Sequence, residues 1–490
     1  MNVLLLSPKT PDTFWSFRHA LPFISKKAGS PPLGLLTVAA LLPRSWNLEL
    51  VDLNVTDLSD SWILWADYVM ISAMLVHQES AQAAALRCRA LGRPVIAGGP
   101  LFTIRHEDFP EIPHFVLGEA EELMPELVAD MLAGRVRPIY EAERRPDMKN
   151  VPIPRWDLVN FRDYACMPVQ FCRGCPYDCE FCDVIVLNGR TPRTKSSDQV
   201  IAELDALREA GWKGSLFLVD DNFLGHKPRV RELLVRMVEW RKATGARMDF
   251  LTEASVDLAD EPELLRLMVE AGFKKVFLGI ETPDVDNLVS CNKLQNTRRD
   301  LGEAISAIQT AGLEVMGGFI IGFDGDTADV FRRQYDFIQR TGVVTAMVGL
   351  LTALPGTRLY KRLAAEGRLL GESDGNNTKT ICNFRTKLSR GELLSGYRRL
   401  MRDLYEPNTY YTRARTFLQN LRPSGPGVYV GWEGVFAFLK TLWYLGVRHS
   451  GRRAYWGFLS HTLLHHPRAF GTAITLAIYG HHLRIVSRSL

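Results

Sequence analysis

The stretch Phe171-Cys-Arg-Gly-Cys-Pro-Tyr-Asp-Cys-Glu-Phe-Cys-Asp183 decides how the rest of this chain is read. Cys175, Cys179 and Cys182 stand in C-x3-C-x2-C spacing within one short loop. A cubane [4Fe–4S] cluster takes one cysteine thiolate for each iron. Three clustered thiolates therefore leave one iron open to a ligand that is not protein, an arrangement for catalysis rather than electron storage. Two plainer readings compete. Zinc takes four ligands, and Cys172 would complete a C-x2-C-x3-C-x2-C knuckle. A ferredoxin-type run has C-x2-C-x2-C-x3-C spacing, which this loop lacks.

The totals frame the loop. A chain of 490 residues exceeds one ordinary domain, so two or three are expected. With 46% hydrophobic and 23% charged residues the composition is that of a soluble globular protein. Eight cysteines, three of them in the loop, point to a reducing cytoplasm rather than a disulfide framework. The start, Met-Asn-Val-Leu-Leu-Leu-Ser-Pro, reads as a first strand and not as a signal peptide. The formal net charge of +4 is uneven: from Asn408 onward ten Arg and Lys face one acid, Glu433, a local +9. A basic tail suggests an anionic partner or surface, against the plainer account of a solvated basic face. It has no RRM- or KH-like motif, so nucleic acid is not expected.

Before the loop, residues 1–137 alternate apolar runs (3–7, 48–52, 68–73, 94–97 and 115–117) with helical patterns (34–42, 79–91 and 121–132). This implies a doubly wound parallel sheet, whose ligands sit at the carboxyl ends of the strands near a topological switch point. The candidate turns are Ser72-Ala-Met-Leu-Val76, Gly98-Gly99-Pro100 and Gly118-Glu119-Ala-Glu121. None has the G-x-G-x-x-G form of a dinucleotide site. Residues 138–165, broken by Pro146, Pro152 and Pro154, read as a linker.

After the loop the strand–helix alternation resumes within 166–370, with strand candidates 216–219, 248–252, 276–279, 314–321 and 345–350. That pattern implies an α/β barrel, complete or partial, with its chemistry on loops at the strands' carboxyl ends. Asp220-Asp221-Asn222, Glu253 with Ser255, and Glu281-Thr282 stand at such ends. A carboxylate has two acceptor oxygens and suits the hydroxyls of a ribose. Arg190-Thr-Pro-Arg-Thr-Lys195 could hold an anionic group, or be a solvated loop. Residues 371–490 read as mainly helical. The apolar runs 428–447 and 469–480 are flanked by Arg448, Arg452, Arg453, Arg468, Arg484 and Arg488. These helices could pack on the barrel, close over a greasy substrate, or lie in a membrane surface. The six histidines of this tail lack the spacing of a metal site and read as surface residues.

The cysteine loop with its Gly-Cys-Pro-Tyr-Asp-Cys-Glu-Phe-Cys setting resembles the signature of the radical SAM enzymes. The domain ahead of it resembles the cobalamin-binding domain of the cobalamin-dependent branch. The whole order, over about residues 1–420, is similar to hopanoid C-2 methylase-like proteins. The resemblance implies a six-unit open barrel whose open iron chelates S-adenosylmethionine (SAM). It also implies Glu281 on the SAM ribose, the strand Gly317-Gly-Phe-Ile-Ile-Gly-Phe-Asp324 by the adenine, and Leu354-Pro-Gly-Thr-Arg-Leu-Tyr360 at the sixth strand's end. Asp221, Asn222, Glu253 and Ser255 are then expected around the cofactors, and Ser72, Gly98, Gly99, Gly118 and Glu119 at the corrin. No Asp-x-His-x-x-Gly follows the first strand, so a histidine lower ligand to cobalt is not expected; His19 and His77 read as surface or packing residues. Trp15, with Phe14 and Phe17, could cover a cofactor face or join the core.

The activity implied is methylation of an unactivated carbon on a hydrophobic small molecule or lipid. A 5′-deoxyadenosyl radical would activate the carbon and methylcobalamin would deliver the methyl. A flavodoxin- or ferredoxin-like donor would supply the electron, with a location in the cytoplasm, peripheral to the inner face of the membrane. A cobalamin-dependent cyclase or rearrangement enzyme is the nearest rival, and a zinc-bearing nucleic-acid-binding protein a remote one.

Overall fold

The computed structural model describes residues 1–490 except 377, 380, 381 and 423–431. Parts of the polar loop 376–383 and of the apolar run 428–447 thus lie outside the described residues. The first sheet is built from β1 (Asn2–Ser7), β2 (Asn47–Asp52), β3 (Tyr68–Ser72), β4 (Val95–Gly98), β5 (His114–Leu117) and β6 (Ile139–Glu141). Its order is β2-β1-β3-β4-β5-β6, parallel throughout. Helices cover both faces, which is why Val3 to Leu6 are all buried rather than alternating. The chain reverses its winding between β1 and β3, the switch point where such sheets bind ligands. The strand β6 lies in the stretch expected to be only a linker. It buries one residue, Tyr140, and an edge strand that short leaves no pattern to read.

The second sheet runs β14 (Ala346–Leu350), β13 (Glu314–Ile321), β12 (Phe273–Glu281), β11 (Phe250–Ala254), β10 (Ser215–Leu218) and β7 (Cys166–Val169). All pairs are parallel and follow chain order, with β7 and β14 as the edges: an open six-stranded barrel. The strand β7 escaped the sequence because Pro168 interrupts it, and proline is tolerated at a sheet edge. Between β7 and β10, β8 (Cys172–Arg173) and β9 (Arg193–Thr194) form a short antiparallel ribbon.

Five helices complete the chain: Arg390–Leu404, Pro407–Asn420, Trp432–Trp443, Arg452–His465 and Phe470–Ser489. Their packing on the barrel is direct. Tyr397 Oη donates to the Val348 carbonyl at 2.9 Å, and Tyr405 Oη to that of Ala346. Arg413, fully buried, donates to the carbonyls of Leu404 and Val344. The tail histidines are not all on the surface. His482 is fully buried, within hydrogen-bond distance (3.1 Å) of the Phe14 carbonyl, where the last helix meets the segment after β1. That segment enters the barrel. The Trp15 ring stacks on Phe217 (centroids 6.2 Å apart) and tilts against Phe277 (4.8 Å).

The two sheets are joined by charge. Arg173 on the ribbon reaches Glu119 at 2.6 Å and Glu121 at 2.7 Å, just beyond β5. Arg193 on the opposite strand of the ribbon meets the other oxygen of Glu119 at 2.5 Å. All four side chains are largely buried. Removing one partner of such a group leaves a charge without compensation in a poorly solvated place. Arg173→Ala is therefore expected to cost about 3 kcal/mol. Arg173→Lys should recover only part, because ammonium cannot bridge two carboxylates with the fork of a guanidinium. Denaturant melts of the three proteins measure this.

Candidate active site

Cys175, Cys179 and Cys182 lie in the loop between β8 and the short helix Val184–Leu187, above the barrel. The loop is fixed from both sides. Asp220 Oδ1, just past β10, accepts the N–H groups of Phe171 and Cys172 at 2.8 and 2.9 Å. Asp221 Oδ2 accepts the N–H of Gly174 at 2.7 Å and the Asn188 amide at 2.8 Å. Gly174 has φ +94°, and a Cβ there would fall 2.9 Å from the Gly189 carbonyl, so glycine is required where the ribbon turns into the loop. On the other flank Asn292 Nδ2 donates to the Asp178 carbonyl at 2.7 Å, and Arg362 pairs with Glu180 at 2.6 Å.

Amide donors are aimed at the sulfurs. Asn222 Nδ2 is 3.8 Å from Cys175 Sγ, and Gln295 Nε2 is 3.6 Å from Cys179 Sγ. Burial pushes the Cys182 thiol up to about 12, and Asp183 adds to it. Burial raises Cys175 as well, against the Tyr177 N–H and the Asn222 amide. Such thiols ionise when a cation replaces the lost solvent. With N–H donors in place to stabilise the sulfur charge, the three residues fit an iron–sulfur cluster. Cys172 lies at the foot of the same loop, close enough to Cys175 for the two to interact. It is 1% exposed within the main apolar core, and burial, with Asp220 and Asp221 close by, drives its thiol strongly upward.

Around the cysteines the strand-end residues divide. Asn222 and Ser255 stand side by side (3.4 Å), and the Ser255 hydroxyl donates to Asp257, which also takes the Tyr177 hydroxyl at 3.1 Å. Glu281 ends β12 at φ +65°, beyond an irregularity in its pairing with β13, and holds Lys293 Nζ at 2.6 Å. The Glu253 carboxyl makes no hydrogen bond among the described residues. Burial raises its carboxyl to about 8, with Asp221 and Asp220 adding to the shift. Lys293, Gln295 and Asn296 were not singled out in the sequence. Their signal was the polar cluster Asn292, Lys293, Gln295 and Asn296, interrupted by Leu294, after the Glu281 strand and its short helix.

At the first sheet, Gly99 has φ +93°, and a Cβ there would stand 2.8 Å from Ser72 Oγ and 3.0 Å from the Ala73 carbonyl. Gly98 packs against Val116, and the Gly118 N–H donates to Thr103 Oγ1 at 2.9 Å. Ser72, Gly98, Gly99 and Gly118 thus close the carboxyl ends of β3, β4 and β5 together, whereas Glu119 is committed to Arg173 and Arg193. Two cations of the basic stretch 190–195 are likewise spent internally, Arg193 on Glu119 and Lys195 on the buried Glu203, whereas Arg190 is exposed, 3.8 Å from Asp178. His77 is a packing residue. The Met74 N–H donates to its Nδ1, Thr10 Oγ1 meets its Nε2 at 3.0 Å, and burial lowers it to about 4.

A cavity of about 1980 Å³ lies between the first sheet, the barrel and the tail. Its wall combines Asn54, Met74 and Val76 after the first strands, Trp15, Phe217, Leu251 and Glu253 inside the barrel, and Phe438 and Tyr479 from the tail. Pockets for drug-sized ligands measure about 300–1,000 Å³. This one has room for a macrocycle and a substrate together. Of the expected site residues only Glu253 lines it, and Glu253 connects it to Asp221 and the cluster loop.

Residues 169–338 match the model of the radical SAM superfamily, and 357–490 a domain of unknown function (DUF4070). An uncharacterized methyltransferase of Synechocystis sp. is 40% identical over 98% of this chain and 91% of its own. The hopanoid C-2 methylase of Rhodopseudomonas palustris is 32% identical over 99% of this chain and 94% of its own. Among solved structures, OxsB, a cobalamin-dependent SAM radical enzyme, shares the fold at TM-score 0.66 and 14% identity, over 100% of this chain and 80% of its own. TsrM of Kitasatospora setae, a radical SAM methyltransferase, does so at 0.56 and 17%, over 74% and 75%. The open barrel with its three-cysteine loop is that of a radical SAM enzyme. The chain belongs to the radical SAM methyltransferases, in the family of hopanoid C-2 methylase. The TsrM structure holds cobalamin and a [4Fe–4S] cluster, and that of OxsB holds aqua-cobalamin and SAM.

Two outcomes follow from the geometry. Cys179→Ala is expected to abolish cluster assembly while Cys172→Ala retains it, read as iron and labile sulfide per chain after anaerobic reconstitution. For Glu253, the native state keeps a proton that the unfolded chain releases above its ordinary 4.5, so stability from this group falls as pH rises from 4.5 to about 8. Glu253→Gln should therefore raise the Tm of the cofactor-free protein at pH 8 and leave it unchanged at pH 4, measured by scanning calorimetry.

Proposed function

We propose that this protein transfers a methyl group to an unactivated carbon of a hydrophobic, membrane-derived substrate, a polycyclic lipid of the hopanoid class. The observation that carries the reading is the cavity of about 1980 Å³, walled mainly by apolar side chains and bounded by the switch-point loops, the barrel interior and the tail. When bound, the cofactors supply the radical that removes a substrate hydrogen and the methyl that replaces it. The protein's part is to hold and to exclude. Cys175, Cys179 and Cys182 would carry the cluster. Glu281 would take the SAM ribose, and Asp221, Asn222 and Ser255 stand in the adjoining polar shell. Ser72, Gly98, Gly99 and Gly118 would approach the corrin by their backbone, since glycine allows close contact there. Trp15, Phe217 and Leu251 would hold the lipid by its apolar faces and keep water out.

Reduction of the cluster calls for a one-electron donor of flavodoxin or ferredoxin type. A lipid substrate also calls for access to a bilayer, which the apolar, basic tail supports. Among the described residues no helix is long and apolar enough to cross a membrane, so the contact would be peripheral. Anaerobic turnover with methyl-labelled SAM, reconstituted protein and solubilised hopanoids tests the reading. Label in a lipid product is expected. A cyclised or rearranged product without label would overturn it.

A further inference from the structure

The helix Trp432–Trp443 is apolar on two sides and covered on one. Its inner face, with Ala437 and Phe438, packs on the 21–25 segment, where Lys440 Nζ donates to the Pro22 carbonyl at 2.7 Å. Its outer face carries Trp432 (77% exposed), Val435, Phe436 (59%), Leu439 and Trp443. These fall at i, i+3, i+4, i+7 and i+11, one continuous stripe. The exposed surface extends past the helix through Tyr444 and Val447, and onto the next helix with Trp456, Leu463 and Leu464 (77%). Trp456 Nε1 donates to the Gly446 carbonyl at 2.9 Å, and Thr441 meets the Tyr455 hydroxyl at 2.8 Å, so the two helices stand together at their turn. A helix apolar all round is buried in protein or in lipid; here one side has neither. Bare apolar patches of this extent mark interaction sites on soluble proteins.

Arginines frame the stripe. Arg448, Arg452 and Arg453 sit at the turn between the helices and Arg468 beyond the second; all are exposed, and none has a carboxylate partner among the described residues. The lone acid of this region, Glu433, is drawn to Lys26. Aromatic and aliphatic side chains flanked by cations are the pattern of a helix lying in the headgroup region of an anionic bilayer. A second copy of the chain fits less well, because a two-fold contact through this patch would bring the same arginines face to face. The stripe is also continuous with the cavity, whose wall includes Trp432, Val435 and Arg468.

We propose that the helices Trp432–Trp443 and Arg452–His465 seat this enzyme on an anionic lipid surface, so that the cavity opens where an apolar substrate leaves the bilayer. The entry route rests on the lipid-methylating function proposed above; the docking itself does not. The test is co-sedimentation of the full chain with vesicles of phosphatidylcholine alone or with one quarter phosphatidylglycerol, compared with Phe436→Ser/Leu439→Ser and Arg452→Glu/Arg453→Glu. Wild type should pellet with the phosphatidylglycerol vesicles and be released by salt. The arginine variant should bind about 30-fold more weakly or worse, and the apolar variant should fail on both compositions. Methyl transfer to a detergent-solubilised lipid should be unchanged in the apolar variant, which separates failure of docking from failure of the chemistry. Wild type remaining in the supernatant, or both variants binding like wild type, would overturn the proposal. So would a concentration-dependent dimer that the apolar substitutions abolish, without vesicle binding, by sedimentation velocity.

Discussion

Two adjacent carboxylates at the end of one strand hold this structure's chemistry in place. Asp220 takes the backbone N–H groups of Phe171 and Cys172, and Asp221 that of Gly174. Arg173, between them, sends its side chain the other way, to Glu119 and Glu121 on the first sheet. Four consecutive residues at the entrance of the cysteine loop are thus tied by hydrogen bond or charge. Burying Asp220 is costly: its second oxygen has no partner, and burial raises the group to about 7 although two backbone N–H groups pull it down. A barrel that bears such a cost at this strand end gains a loop whose path is set before any iron arrives. The same four residues transmit the position of the first sheet to the cluster loop, since Glu119 and Glu121 follow β5 directly.

How much of this could be read from residues alone depends on how local each signal is. The cysteine loop is a pattern within 13 residues, and the apolar strands are each a pattern within a few, so both were legible. The strand ends were legible by the same logic, because a run such as Asp220-Asp221-Asn222 directly after buried leucines has few other uses. What failed was pairing over distance. Glu119 reads as a ligand-facing acid until Arg173 and Arg193, more than fifty residues on, are seen to claim it. Arg193 and Lys195 look free until Glu119 and Glu203 neutralise them. His482 looks exposed until Phe14, at the other end of the chain, supplies a buried carbonyl. Strands β6 and β7 were lost for a different reason: one buries a single residue and the other contains a proline.

The tail follows the same rule at larger scale. Its composition allowed packing, a lid or a membrane surface, and the fold distributes these among different faces of its helices. Tyr397, Tyr405 and Arg413 satisfy carbonyls at the edge of the barrel, so the inner faces pack. Phe438 and Tyr479 wall the cavity, so part of the tail covers it. Among the described residues, the outer stripe of Trp432–Trp443 and the exposed side chains of the next helix remain without a partner. Sequence periodicity does not assign these faces, because all of them are apolar.

Two charged groups at the barrel end of the cavity are muted, and this bears on what that end holds. Lys275, on its wall, lies 3.4 Å from Glu314 and donates to Tyr479 Oη at 3.1 Å. Glu253 has no such partner, yet with its carboxyl raised to about 8 it stands mostly neutral near pH 7. An anionic or cationic ligand would meet no uncompensated countercharge among these groups, and its desolvation would go unrecovered. An apolar molecule carrying at most a few hydroxyls loses little on entry and covers Trp15, Phe217 and Leu251. The electrostatics of the barrel end therefore agree with the proposed apolar substrate independently of the tail, and the proposed cofactor shell around Asn222, Ser255 and Glu281 lies outside that wall.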